Sequence, residues 1–129
     1  PLIAETGGLN AMIVDSTALP EQAVAALMQS AFQSAGQRCS ACRCVYVQED
    51  IAESFLEMLK GAMDAFYPAE PWLLSSDSGP LIDGDAHKDI ADYVEKMRVR
   101  GQLIHTGNAP ETTDSDEPET PKDKPEQPS

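Results

Sequence analysis

The stretch NAMIVDSTALPEQAVAALMQSAFQSAGQRCSACRCVYVQ, residues 10–48, changes its apolar period twice. Ala11 to Val14 is a short apolar run between Asn10 and Asp15, the pattern of a buried strand. From Leu19 to Ala35 the period lengthens. Val24, Leu27, Met28, Ala31, Phe32 and Ala35 recur at three- and four-residue steps and form one apolar helical face. Asp15-Ser16-Thr17 offers caps for that helix, and Pro20-Glu21 suits its first turn. Gly36 stops it, because glycine accepts the left-handed backbone that ends helices. Cys42 to Gln48 returns to strand composition. Strand, helix, strand within 39 residues predicts an α/β layered sheet with flanking helices.

Working outward, Leu2 to Glu5 reads as the end of a strand, broken by Thr6-Gly7-Gly8. Ile51 to Phe66 is a second amphipathic helix, with Glu49-Asp50 as its capping residues. Tyr67 to Asp85 holds three prolines and two glycines and reads as a long loop, with Trp72 as a packing anchor. His87 to Arg98 is a third helix with Ile90, Tyr93, Val94 and Met97 inward, and Leu103 to His105 a short strand. Met28, Met58, Met63 and Met97 fall on apolar helical faces and read as core. Residues 1–107 form the expected domain. Residues 108–129 carry seven acids, two lysines and no large apolar residue, so they are expected to stay a disordered, acidic, proline-rich tail.

The chain has 129 residues and a formal net charge of -13. That balance argues against nucleic acid and against an anionic membrane surface, both of which attract lysine and arginine. No apolar run approaches the ~20 residues of a membrane helix. The opening Pro1-Leu2-Ile3-Ala4 lacks Met and a basic flank, and reads as the middle of a strand cut from a longer protein. Three cysteines crowded into residues 39–44 are not a disulfide framework and point to a reducing, cytoplasmic compartment.

Two places could carry chemistry. In Gly36-Gln37-Arg38-Cys39-Ser40, a thiol follows an arginine where a helix gives way to a turn. Nearby positive charge and free amides favour a thiolate and can hold an oxyanion. The plain alternative is a small apolar filler in a tight turn. In Glu5-Thr6-Gly7-Gly8, a carboxylate stands at the carboxyl end of a strand, where α/β sheets place ligands, and could act as general base. The plain alternative is a solvated turn acid. Cys39, Cys42 and Cys44 also spell C-x2-C-x-C, with Cys42 and Cys44 expected on one strand face. A structural zinc would need a fourth ligand, and His87 and His105 are not at finger-like spacing, so no metal is expected.

Together the two places resemble the aldehyde dehydrogenase family. Glu5-Thr6-Gly7-Gly8 is similar to its glutamate signature, and Phe32 to Ser40 to its cysteine signature, 34 positions apart between Glu5 and Cys39. Gln48-Glu49-Asp50 and Ser78-Gly79-Pro80-Leu81-Ile82-Asp83 resemble later landmarks of the family. Ala4 to Gln22, Pro71-Trp72 and Leu74 to Asp77 are similar to the proline-catabolic members, whose dehydrogenase domain oxidises glutamate γ-semialdehyde (1-pyrroline-5-carboxylate). The resemblance implies Cys39 as nucleophile, Glu5 as general base, and Thr6 and Gly7 beside NAD. It implies Arg38 and Ser40 at the substrate, with Arg38 on its α-carboxylate, unless Arg38 is merely a surface charge. It also implies a homo-oligomeric parent, with FAD in a separate proline dehydrogenase domain. The dinucleotide-binding half expected before Glu5 is not among these residues, so the segment is expected to be inactive in isolation. Another aldehyde dehydrogenase of different substrate, or a non-catalytic interaction module, remains the alternative.

Overall fold

A computed structural model describes Leu2 and residues 7–108. Five elements follow in order: β1 (Asn10–Val14), α1 (Pro20–Phe32), β2 (Cys42–Val47), α2 (Glu49–Ala65) and α3 (Gly84–Val99). The two strands run parallel, and α1 is the crossover that parallel pairing requires. The expected strand over Leu2–Glu5 and the expected tail lie, apart from Leu2 and Asn108, outside the described residues.

The helix starts match their local chemistry only in part. Pro20 occupies the first turn of α1 as expected, but Asp15 does not cap it. Asp15 instead accepts from the Thr17 N–H at 2.8 Å and the Thr17 hydroxyl at 2.6 Å, closing its own turn two residues on. Glu49 and Asp50 likewise sit inside the first turn of α2, where their charge meets the positive end of the helix, and do not cap it.

The core lies on one face of the sheet. Val14, Val24, Leu27, Cys42 and Phe55 are buried together, with Met12, Val45, Val47, Ile51 and Leu59 partly buried around them. Phe55 of α2 is the largest fully buried side chain. Strand register explains which cysteine is inside. Asn10 pairs with Cys42 and Ala11 with Cys44, so Arg43 is an extra residue in β2. Such a bulge resets the alternation of side chains. Cys42 therefore faces the core, while Cys44 is exposed. The expectation that both share one face is overturned for this reason.

Four further expectations change. The stripe on α3 exists in sequence, yet α3 has no buried residue, and Ile90 and Tyr93 are exposed. Val94 and Met97 are only partly buried. Trp72 is 77 % exposed and anchors nothing. Met58 sits at the exposed edge of α2. Leu103–His105 is not a strand. That segment returns to the end of α2, where His105 Nε2 meets Asp64 at 2.8 Å and the Asn108 amide donates to the Asp64 carbonyl at 2.9 Å.

Candidate active site

Cys39 sits on a turn built from both sides. Helix α1 ends at Phe32, earlier than its apolar period suggests, and Gln33–Gly36 form a tight helical turn. Within it Ser34, Ala35 and Gly36 all have positive φ, at 56°, 54° and 68°. Two consecutive side-chain-bearing residues in that region cost about 1 kcal/mol or more each, so other bonds must hold them. The Gln37 N–H donates to the Ser34 carbonyl at 3.0 Å, and the Arg43 guanidinium donates to the Gly36 carbonyl. A side chain at Gly36 would collide with the Ala31 carbonyl at 2.7 Å, so glycine is required there on two counts.

The next turn carries the thiol. The Ala41 N–H donates to the Arg38 carbonyl at 3.1 Å, which places Cys39 and Ser40 at the two central positions. Ala41 is fully buried and pins the turn to the core. Cys39 and Ser40 are exposed above it. Their thiol, hydroxyl and neighbouring backbone amides can thus meet a ligand arriving from outside.

Arg38 points back rather than out. Its Nη2 donates to the carbonyls of Gln29 at 3.0 Å and Ser30 at 3.3 Å, near the end of α1, which has no basic residue in its last turn. A guanidinium there also complements the helix dipole. Its Nε is buried and has no hydrogen-bond partner among the described residues. The arginine is a brace for the turn with one donor left over.

The glycine pair of the first motif reaches the same turn. A Cβ on Gly8 would stand 2.8 Å from the Cys39 carbonyl oxygen, so only glycine allows the approach. A Cβ on Gly7 would meet nothing within 4 Å among the described residues. The Asn10 amide then ties the two segments, donating to the Cys39 carbonyl at 2.6 Å and the Ala41 carbonyl at 3.1 Å. Asn10 was legible only as the boundary of a strand; its role depends on the pairing of β1 with β2. Glu5 and Thr6 lie outside the described residues. Gly7, Arg38, Cys39 and Ser40 are described, and Gly8 and the Asn10 clamp bring the two motifs together.

The cysteine cluster does not converge. Cys39 is on the turn, Cys42 in the core and Cys44 on the outer strand face. There the Cys44 thiol, by hydrogen bonding and by charge, pushes the Tyr46 phenol above its ordinary value. Among the described residues no three His, Cys, Asp or Glu side chains form a metal site, and no helix is long and apolar enough to cross a membrane.

Residues 1–120 match the aldehyde dehydrogenase family. The chain is 48 % identical over 120 residues to the bifunctional protein PutA of Salmonella typhimurium, covering 93 % of this chain and 9 % of that protein. It is 33 % identical over 106 residues to 1-pyrroline-5-carboxylate dehydrogenase of Geobacillus kaustophilus, covering 82 % of this chain and 21 % of that one. A crystal structure of a variant of Bradyrhizobium japonicum proline utilization A superposes with a TM-score of 0.81 at 47 % identity, over 86 % of this chain and 12 % of that one. The chain thus spans about a tenth of the length of the bifunctional relatives and about a fifth of the single-function one.

Proposed function

The chain belongs to the aldehyde dehydrogenase family, and we propose that it is the nucleophile-bearing part of an NAD-dependent glutamate γ-semialdehyde (1-pyrroline-5-carboxylate) dehydrogenase. The observation that carries this reading is the contact of Gly8 with the Cys39 carbonyl, locked by Asn10. It puts the backbone that follows Glu5 against the thiol-bearing turn, as a shared active site needs. The substrate class is supported by the likeness to proteins named for that substrate.

Cys39 as thiolate attacks the aldehyde carbon, and a thiohemiacetal forms on its sulfur. The Cys39 backbone N–H is the donor this chain would offer the oxygen that gains charge. A nicotinamide cofactor bound there would supply the acceptor for the hydride lost from that carbon. By the family resemblance Thr6 and Gly7 are the residues of this chain that would lie beside it, and a Cβ at Gly7 would meet nothing within 4 Å among the described residues. The resulting thioester is then cleaved by water, from which Glu5 removes the proton. Arg38 and Ser40 are assigned to the substrate, with Arg38 on its α-carboxylate, by the family resemblance; in this structure Arg38 Nη2 donates to the Gln29 and Ser30 carbonyls.

Residues 1–129 on their own neither hold NAD nor turn over, in keeping with relatives whose chains are about four to ten times as long. In the intact enzyme the parent assembles as a homo-oligomer, and FAD serves a separate domain. The test is made in the intact enzyme. Cys39→Ser removes NADH formation. Glu5→Gln keeps a first burst of NADH and slows steady turnover by roughly 10²–10⁴-fold. A Cys39→Ser enzyme that still oxidises the semialdehyde would falsify the assignment. Strong activity on simple aliphatic aldehydes with none on the semialdehyde would move the substrate class elsewhere.

A further inference from the structure

The loop between α2 and α3 grips the turn that leads to Cys39. The Ser78 hydroxyl oxygen accepts the Ala35 N–H at 2.9 Å, 43 positions away in sequence. Four residues on, the Ile82 N–H donates to the Gln37 side-chain oxygen at 2.8 Å. The two ties bracket Gly36. Ser78 is 8 % exposed, the buried polar side chain among the described residues.

Its base is rigid. The Ala69 N–H donates to the Ser78 carbonyl at 3.0 Å, and the Ser76 hydroxyl donates to the carbonyls of Ala69 and Ser78, both at 3.0 Å. Asp77 exchanges two bonds with Tyr67, at 2.8 Å each. A Cβ at Gly79 would press on Pro71 at 3.1 Å, so this stretch packs against its own start. A firm hydroxyl therefore meets the amide of Ala35, one of the two non-glycine residues with positive φ among the described residues.

We infer that Ser78 is a positioning residue for the nucleophile turn: its hydroxyl fixes the left-handed Ser34–Ala35–Gly36 backbone that sets where Cys39 stands. A residue held in an unfavoured conformation relaxes when its support is removed. Three residues beyond Gly36, the same relaxation moves the thiol relative to Gly8 and Asn10. The inference rests on the reading of Cys39 as nucleophile for its importance, while the link from Ser78 to Ala35 stands apart from it.

The experiment compares the full chain with Ser78→Ala and Ser78→Thr. Two quantities are followed: exchange of the Ala35 amide with deuterium by NMR, and the pH profile of Cys39 alkylation by mass spectrometry. Exposed Cys44 serves as an internal reference and buried Cys42 reports unfolding. With Ser78→Ala, Ala35 exchanges about tenfold faster, and the Cys39 profile moves while that of Cys44 stays. Ser78→Thr keeps the hydroxyl and restores both. Unchanged Ala35 exchange, a parallel change in Cys39 and Cys44, or no rescue by threonine overturns the inference. Where alanine exposes Cys42, the near-isosteric pair Ser78→Thr and Ser78→Val replaces it, and Ala35 protected in both overturns the inference equally. Ala35 losing protection while the Cys39 profile matches that of Cys44 throughout separates the outcomes: the tie is then real, and the nucleophile reading has failed.

Discussion

Asn10 and Asp15 stand at the two ends of the same strand and use their side chains oppositely. Asn10 reaches across to β2 and clamps the carbonyls of Cys39 and Ala41. Asp15 serves its own turn, and its carboxyl is held below the ordinary value, chiefly by the Thr17 hydroxyl and then by the Thr17 N–H. A depressed folded value means the interaction is fully present above the ordinary carboxylate range. It is lost as pH falls through the depressed value. Thr17→Val removes the hydroxyl donor. The Asp15 carboxyl is then expected to titrate higher, back toward its ordinary value of 3.8. An NMR titration checks this; a carboxyl that does not move would show that the backbone donors alone set it. The residues of the two motifs were plain in the sequence, since Glu-Thr-Gly-Gly and Gly-Gln-Arg-Cys are short and distinctive. The roles of Ser78 and Asn10 were not, although Ser78 opens a family landmark, because a serine or asparagine gains a role only from the group placed opposite it.

Helices α1 and α2 share the core, whereas α3 shares nothing with it among the described residues. The apolar periods of the three read alike in sequence. What differs is whether a second apolar surface lies within reach. Truncating Phe55 to alanine should destabilise the chain by about 3–5 kcal/mol, enough to unfold a small domain outright. Ile90→Ser on α3 should change stability by less than about 0.5 kcal/mol. Urea unfolding followed by circular dichroism separates the two, and an equal loss at both positions would mean that α3 is packed in solution. The bulge at Arg43 likewise overrides a simple period. One extra residue sends Cys42 inward and Cys44 outward, and it brings Arg43 to the Gly36 carbonyl.

On the scale of the whole molecule, burial is one-sided. Helices cover one sheet face, while Ile13 and Tyr46 stand exposed on the other, and Leu74, Ile82 and Trp72 are exposed on the loop. A net charge of -13 opposes the association that such surfaces invite. Raising salt shortens the screening length to about 10 Å at 0.1 M and weakens that repulsion. The chain should therefore self-associate more as salt or protein concentration rises. Sedimentation velocity measures this; a monomer at every salt and concentration would show that the exposed faces are covered in solution.

The order and type of β1, α1, β2, α2 and α3, and the family, were already written in the sequence. These follow from local period and short motifs, which neighbouring residues encode. Only the folded arrangement decided that Gly8 approaches the Cys39 carbonyl, that Cys42 and Cys44 part company, that α3 buries no residue among the described residues, and that the Ser78 hydroxyl accepts the Ala35 N–H in the turn before Cys39. Each of those depends on parallel strand pairing or on a loop crossing 43 positions to find its partner. Such contacts arise from the packing of distant segments, which no local pattern in the chain specifies.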